Sequence, residues 1–177
     1  MMSLAVVFWM YVILFAIIGG MRGWAKEILV RFSVILALAF IALLEHYVPF
    51  IRDVLLQQQS SVLFWLRTII LILLVFFGYQ TVNIQRFAGK LTREKLEHAI
   101  LGIVIGGING YLIAGTLWFY MADAKYPFTN VVSAPPTGPI ATIAENMLRY
   151  MPPRLLGIPG IYFAVVIAFI FVIVVFV

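Results

Sequence analysis

Ionisable and hydrogen-bonding side chains are scarce in this chain, so each one inside an apolar stretch is a candidate for chemistry. The stretch "IIGGMRGWAKEILVRF", Ile17 to Phe32, sets Arg22, Lys26, Glu27 and Arg31 between two long apolar runs. Such a cluster is a reaction centre, a gate, or the cytoplasmic turn of a membrane protein. Gly19, Gly20 and Gly23 permit a tight reversal, and Glu27 and Arg31 stand i, i+4 in the favourable order for a helical ion pair. The plain expectation is a basic turn that fixes orientation. The sharper alternative puts Arg22 or Glu27 in a polar contact inside a helix bundle, where ionisable groups are often functional.

Four other positions invite the same question. Asn109 stands near the middle of "AILGIVIGGINGYLIAGTLWFYM", Ala99 to Met121, an uncharged run in which its amide needs a hydrogen-bond partner. Only Arg22 and Glu27 join it as candidates for a polar path, which is thin for a transporter or channel. His46 and His98 are expected at opposite membrane faces, where they cannot grip one haem together, and no cofactor is predicted. Arg67, a little over one turn inside another apolar run, is expected to snorkel to the outer interface. No carboxylate pair, Ser/His/Asp set, phosphate loop or metal-ligand spacing is visible, so no enzyme and no metal site are expected. The absence of cysteine excludes disulfides, thiol redox chemistry and thiolate metal ligands.

The elements that must carry these residues follow from composition. Of 177 residues, 64% are hydrophobic and only 11% charged, against about a quarter charged in soluble domains. A soluble core of this size cannot bury so much apolar surface, and the lipid bilayer is the expected solvent. The net charge of +5 lies in short segments between apolar runs, a pattern suited to anionic headgroups rather than nucleic acid. The predicted fold class is all-α: a polytopic integral membrane protein with five transmembrane helices and one amphipathic extracytoplasmic helix. The spans are expected at about Leu4–Gly20, Ile28–Leu44, Val62–Tyr79, Ala99–Met121 and Ile161–Val177. Residues 1–121 then form a four-helix membrane bundle, 122–160 an extracytoplasmic loop, and 161–177 a fifth transmembrane helix near the lower length limit.

Orientation is read from the basic residues. Arg22, Lys26, Arg31, Arg86, Lys90, Arg93 and Lys95 fall on one side, and Arg52, Arg67, Lys125, Arg149 and Arg154 on the other. The first set marks the cytoplasm and leaves the N-terminus outside. Met1 to Met21 carries no charge, so the basic start of a secretory signal is missing and a retained first helix is expected.

Within the loop, "PIATIAENMLRYM" repeats apolar residues at i, i+3, i+4, i+7, i+8 and i+11, which predicts an amphipathic helix over residues 139–151. Pro139 suits its first position and Pro152 stops it. It is expected to lie along the membrane surface, with docking on the other spans as the alternative. In the fourth span Gly102, Gly106 and Gly110 recur every fourth residue, with Gly107 and Gly115 beside them. This glycine zipper is a smooth strip for another backbone, either within the monomer or between copies. In the fifth span, Ala164 and Ala168 are expected to face protein while Val166, Ile170 and Val174 face lipid.

Two of these patterns carry a resemblance. Gly19, Arg22, Gly23 and Glu27, in "GGMRGWAKE", resemble the G-x-x-R-G-x-x-x-E signature of the colicin V production protein (CvpA) family. The glycine-spaced fourth span and the amphipathic helix after it are similar to that family's, and the resemblance covers about residues 4–153. It implies a bacterial inner-membrane protein connected with export and envelope homeostasis, with no defined reaction and no catalytic role for the motif residues. The fifth span departs from the family's four-span pattern. The expected function is therefore that of a non-enzymatic structural or accessory protein, with a homo-oligomer or other membrane subunits as partners. The rivals are an accessory subunit of a larger respiratory or photosynthetic complex, and a transporter or channel component.

Overall fold

In the computed structural model, residues 4–56, 61–80, 95–128 and 138–176 are described. Arg86, Lys90 and Arg93, on which part of the orientation argument rests, lie outside them. Every regular element among the described residues is helical. Helix α1 spans Leu4–Arg22, α2 Trp24–Tyr47, α3 Ser61–Tyr79 and α4 Lys95–Asp123. These four are long and apolar enough to cross a membrane. Helices α5 (Pro139–Arg149), α6 (Pro152–Leu155) and α7 (Gly160–Phe176) follow. At 17 residues, α7 is about 25 Å long, short of the roughly 30 Å hydrocarbon core.

The joints are set by residue type. A loop is expected around Arg22 to Arg31, yet α1 and α2 meet at the single residue Gly23, and Lys26, Glu27 and Arg31 stand in the first turns of α2. Gly23 sits at φ 86°, ψ 155°, a conformation essentially confined to glycine. Its amide closes the end of α1 by donating to the Gly19 carbonyl at 2.9 Å. Helix α2 stops at Tyr47 because Val48 precedes Pro49 and takes an extended conformation, φ −92° and ψ 109°. A short π-helical segment, Ile51–Leu55, follows. Pro139 opens α5 at its first turn after Gly138, which sits at φ 124°.

Packing puts α2 and α4 at the centre. Val30, Val34 and Leu38 of α2, Leu71 and Val75 of α3, and Leu112 of α4 form one buried cluster. Against α1, the glycines of α4 allow backbone to meet backbone. A Cβ on Gly106 would fall on the Phe15 carbonyl oxygen and 2.8 Å from the Gly19 Cα, while one on Gly110 would lie 2.8 Å from the Phe15 Cβ. Within this chain, then, the Gly102/Gly106/Gly110 strip is filled by α1. Gly115 backs instead onto the Met151 sulfur and the Pro152 ring.

At the far end from Gly23, Ala144 of α5 is buried with Phe8, Trp118 and Met151, and Met147 and Leu148 pack beside it. The amphipathic helix is thus docked on α1 and α4, the alternative to lying free along a surface, because its small Ala144 admits the large Phe8 and Trp118 rings. The Tyr111 hydroxyl, donating to the Tyr150 carbonyl, fixes the same joint. Helix α7 packs along α2: Ile161 is buried, Ala164 and Ala168 are half-buried, and Val166, Ile170 and Val174 face outward, as the alanine spacing predicts. Phe32 and Phe169 meet edge to face with centroids 5.1 Å apart.

Candidate functional site

Glu27 is fully buried one turn into α2, where an unpaired carboxylate would be costly. Arg22, the last residue of α1, donates from Nη1 to Glu27 Oε1 at 3.0 Å. From α4, the fully buried Asn109 donates its amide to Glu27 Oε2 at 2.9 Å and to the Glu27 carbonyl at 2.8 Å. Arg22 Nη2 donates to the Tyr79 carbonyl at 2.9 Å, and its guanidinium lies 4.3 Å from the centre of the Tyr79 ring. Tyr79 ends α3, so this bond caps a helix carbonyl that has no partner of its own in the helix, at the end where the dipole favours a cation. One knot of side chains therefore ties all four long helices at a single level.

The expected Glu27–Arg31 pair gives way to these bonds. Arg22 reaches Glu27 across the one-residue turn and Asn109 reaches it from α4, so neither of the carboxylate's bonds runs along its own helix. Of the family-type residues, Gly19 and Gly23 position the knot. Gly19 lets α1 lie on α4, with Gly102 and Gly106 against it, and Gly23 returns the chain so that Glu27 faces Arg22. Gly110, one residue beyond Asn109, keeps the α1 backbone close at the same height.

A second charged cluster lies at the other end of the bundle. Arg67 of α3 does not snorkel outward: it is buried, donating from Nε to Glu45 of α2 and from Nη1 to Asp123 of α4, each at 2.5 Å. Its guanidinium also lies 4.9 Å from the centre of the Tyr120 ring. Two carboxylates and an aromatic face hold it inside, which a flexible side chain pointed at water would not need. Sequence position hides this, because the three partners are separated by 22 and 56 residues. The available signal is that Glu45 and Asp123 close their apolar runs while Arg67 stands near the start of its own, which alternating spans bring to one end of the bundle.

Beside this triad a pocket of about 430 Å³ opens between α2, the π-helical segment and the α6–α7 joint. At its rim Arg52 pairs with its neighbour Asp53 at 2.7 Å, both side chains more than half exposed. The hydrogen bond to Arg52 holds the Asp53 carboxyl below the usual carboxylate range. His46 and His98 lie at opposite ends of the bundle. His46 meets Tyr47 edge to face, and His98 stacks on Trp24 with centroids 6.1 Å apart. Among the described residues no three His, Asp or Glu side chains converge as metal ligands.

No family model, curated protein or solved structure matches this chain.

Proposed function

We propose that this chain is a non-enzymatic accessory protein of the bacterial inner membrane, of the colicin V production type, acting through helix packing rather than through a reaction. The observation that carries this reading is the use made of the buried charges. Among the described residues the buried ionic side chains are Glu27 and Arg67, and each bonds to side chains of other helices, bracing the bundle at both ends. Groups spent on holding helices together are not poised to abstract a proton or attack a substrate. The outward flanks, by contrast, are broad and apolar: Trp9, Ile13 and Ile17 on α1, Phe76 and Phe77 on α3, Phe163 and Ile167 on α7. Such flanks suit lipid or further membrane subunits. The cytoplasm lies on the Gly23 side, where Arg22, Lys26 and Arg31 gather.

The deciding experiment is extraction of the full chain in a gentle detergent, followed by identification of co-migrating chains. A stoichiometric membrane partner, or a defined homo-oligomer, is the expected result. Solute or ion translocation by the purified chain alone in sealed proteoliposomes would overturn the reading in favour of a transporter.

A further inference from the structure

The pocket beside Arg67 is amphipathic in its walls. Glu45, His46, Arg52 and Arg67 supply its polar lining, and Leu38, Ile41, Ala42, Leu156, Ile158 and Ile161 much of the rest. Its volume of about 430 Å³ lies within the range of small-molecule sites. Apolar walls that continue the lipid-facing helices, with charge confined to the bundle end, call for a ligand with a greasy tail and a polar head. Half-exposed Ile158 stands at the rim.

The charges select the head. Arg67 already donates to two carboxylates, so it is not a free anion receptor, and the triad keeps one negative charge in excess. Arg52, in contrast, is bonded to an exposed neighbour in a solvent-screened pair that exchanges partners with little loss. A wall that offers the Glu45 carboxylate as an acceptor and Arg52 as a transferable cation matches a zwitterion. We propose that this pocket binds an aminophospholipid: its primary ammonium donates to the Glu45 carboxylate, its phosphate takes Arg52 and His46, and an acyl chain lies along Leu156 and Ile161. A trimethylammonium head offers no N–H to a carboxylate. A phosphoglycerol head has no cation to donate to the Glu45 carboxylate.

The test is native mass spectrometry of the full chain in detergent micelles supplemented with equal amounts of phosphatidylethanolamine, phosphatidylcholine and phosphatidylglycerol. Phosphatidylethanolamine should be retained roughly tenfold over phosphatidylcholine, the discrimination of one hydrogen bond to a charged group. Glu45→Gln should erase that preference. Ala42→Phe, which fills the pocket beside Glu45 while leaving every ionic group in place, should abolish retention, with wild-type elution in size-exclusion chromatography showing that the variant assembles. Ile158→Trp, at the exposed rim, replaces it should Ala42→Phe fail to assemble. Equal retention of the three lipids, a preference for phosphatidylglycerol, or undiminished retention in the pocket-filled variants would overturn the assignment.

Discussion

The two charge clusters stand at opposite ends of one bundle and are built on different terms. The Arg22–Glu27–Asn109 knot is closed around its carboxylate: Glu27 and Asn109 have no exposed surface, the Arg22 side chain is 21% exposed, and glycines draw α1, which bears Arg22, onto α4, which bears Asn109. The Arg67 triad is half open, with its carboxylate side chains 24% and 38% exposed and a pocket at its flank. A closed cluster owes its stability to having every member in place, because a lost partner leaves a charge in a dry interior. An open one is cushioned by water. The same pair of charge types thus serves as a lock at one end and as an adjustable surface at the other.

The lock should break first at its backbone. Gly106→Leu is expected to have the largest effect, since the atoms in its way are the Phe15 carbonyl and the Gly19 Cα and N. Backbone cannot rotate aside as a side chain can, and α1 must leave α4. Loss of a monodisperse species in size-exclusion chromatography would report it. A variant with wild-type elution and melting would mean that α1 does not seat on this strip. Next comes Arg22→Leu, which strands the fully buried Glu27 carboxylate and should cost about 3–5 kcal/mol. Chemical unfolding in micelles measures it, and a cost near that of a surface pair would sink the idea of a closed cluster.

Much of the lock was legible in the sequence and little of the open cluster was. Arg22, Gly23 and Glu27 are near neighbours in the chain, and a glycine every fourth residue announces a backbone contact whatever its partner. Which carboxylate oxygen meets which helix was not legible. The i, i+4 rule favours Arg31, but it describes an isolated helix and is silent on a one-residue turn that swings Arg22 alongside. Arg67 was misplaced for a related reason. Its depth in an apolar run suits snorkelling as well as burial, and only tertiary structure brings Glu45 and Asp123 to it. A helix at each of the five apolar runs and the amphipathic helix over α5 are legible because apolar length and period survive any change of neighbour. The docking of α5 on α1 and α4, in contrast, is set by the Phe8 and Trp118 rings that meet Ala144.

For the open cluster, Arg67→Leu should be milder than Arg22→Leu, about 1–3 kcal/mol, because water reaches both abandoned carboxylates and not Glu27. Unfolding of both variants under one condition tests the order directly. If Arg67→Leu proves the more damaging, the two ends do not differ in the way their exposure implies.

The smallest effect separates two adjacent glycines on α4. A Cβ on Gly107 would meet only the Ala16 Cβ at 3.6 Å, an ordinary van der Waals contact, whereas one on Gly106 would be driven into the α1 backbone. Alanine is the better helix former by up to about 1 kcal/mol, since glycine leaves more conformational freedom to lose. Gly107→Ala should therefore be neutral or stabilising by some tenths of a kcal/mol. Gly110→Ala, whose Cβ would lie 2.8 Å from the Phe15 Cβ and 3.0 Å from the Val12 Cα, should destabilise. The two alanine changes are chemically identical and differ only in what stands opposite, so their melting temperatures read out the α1–α4 register. A destabilised Gly107→Ala beside a tolerated Gly110→Ala would place α1 on the wrong face of α4 and detach Arg22 from the knot it closes.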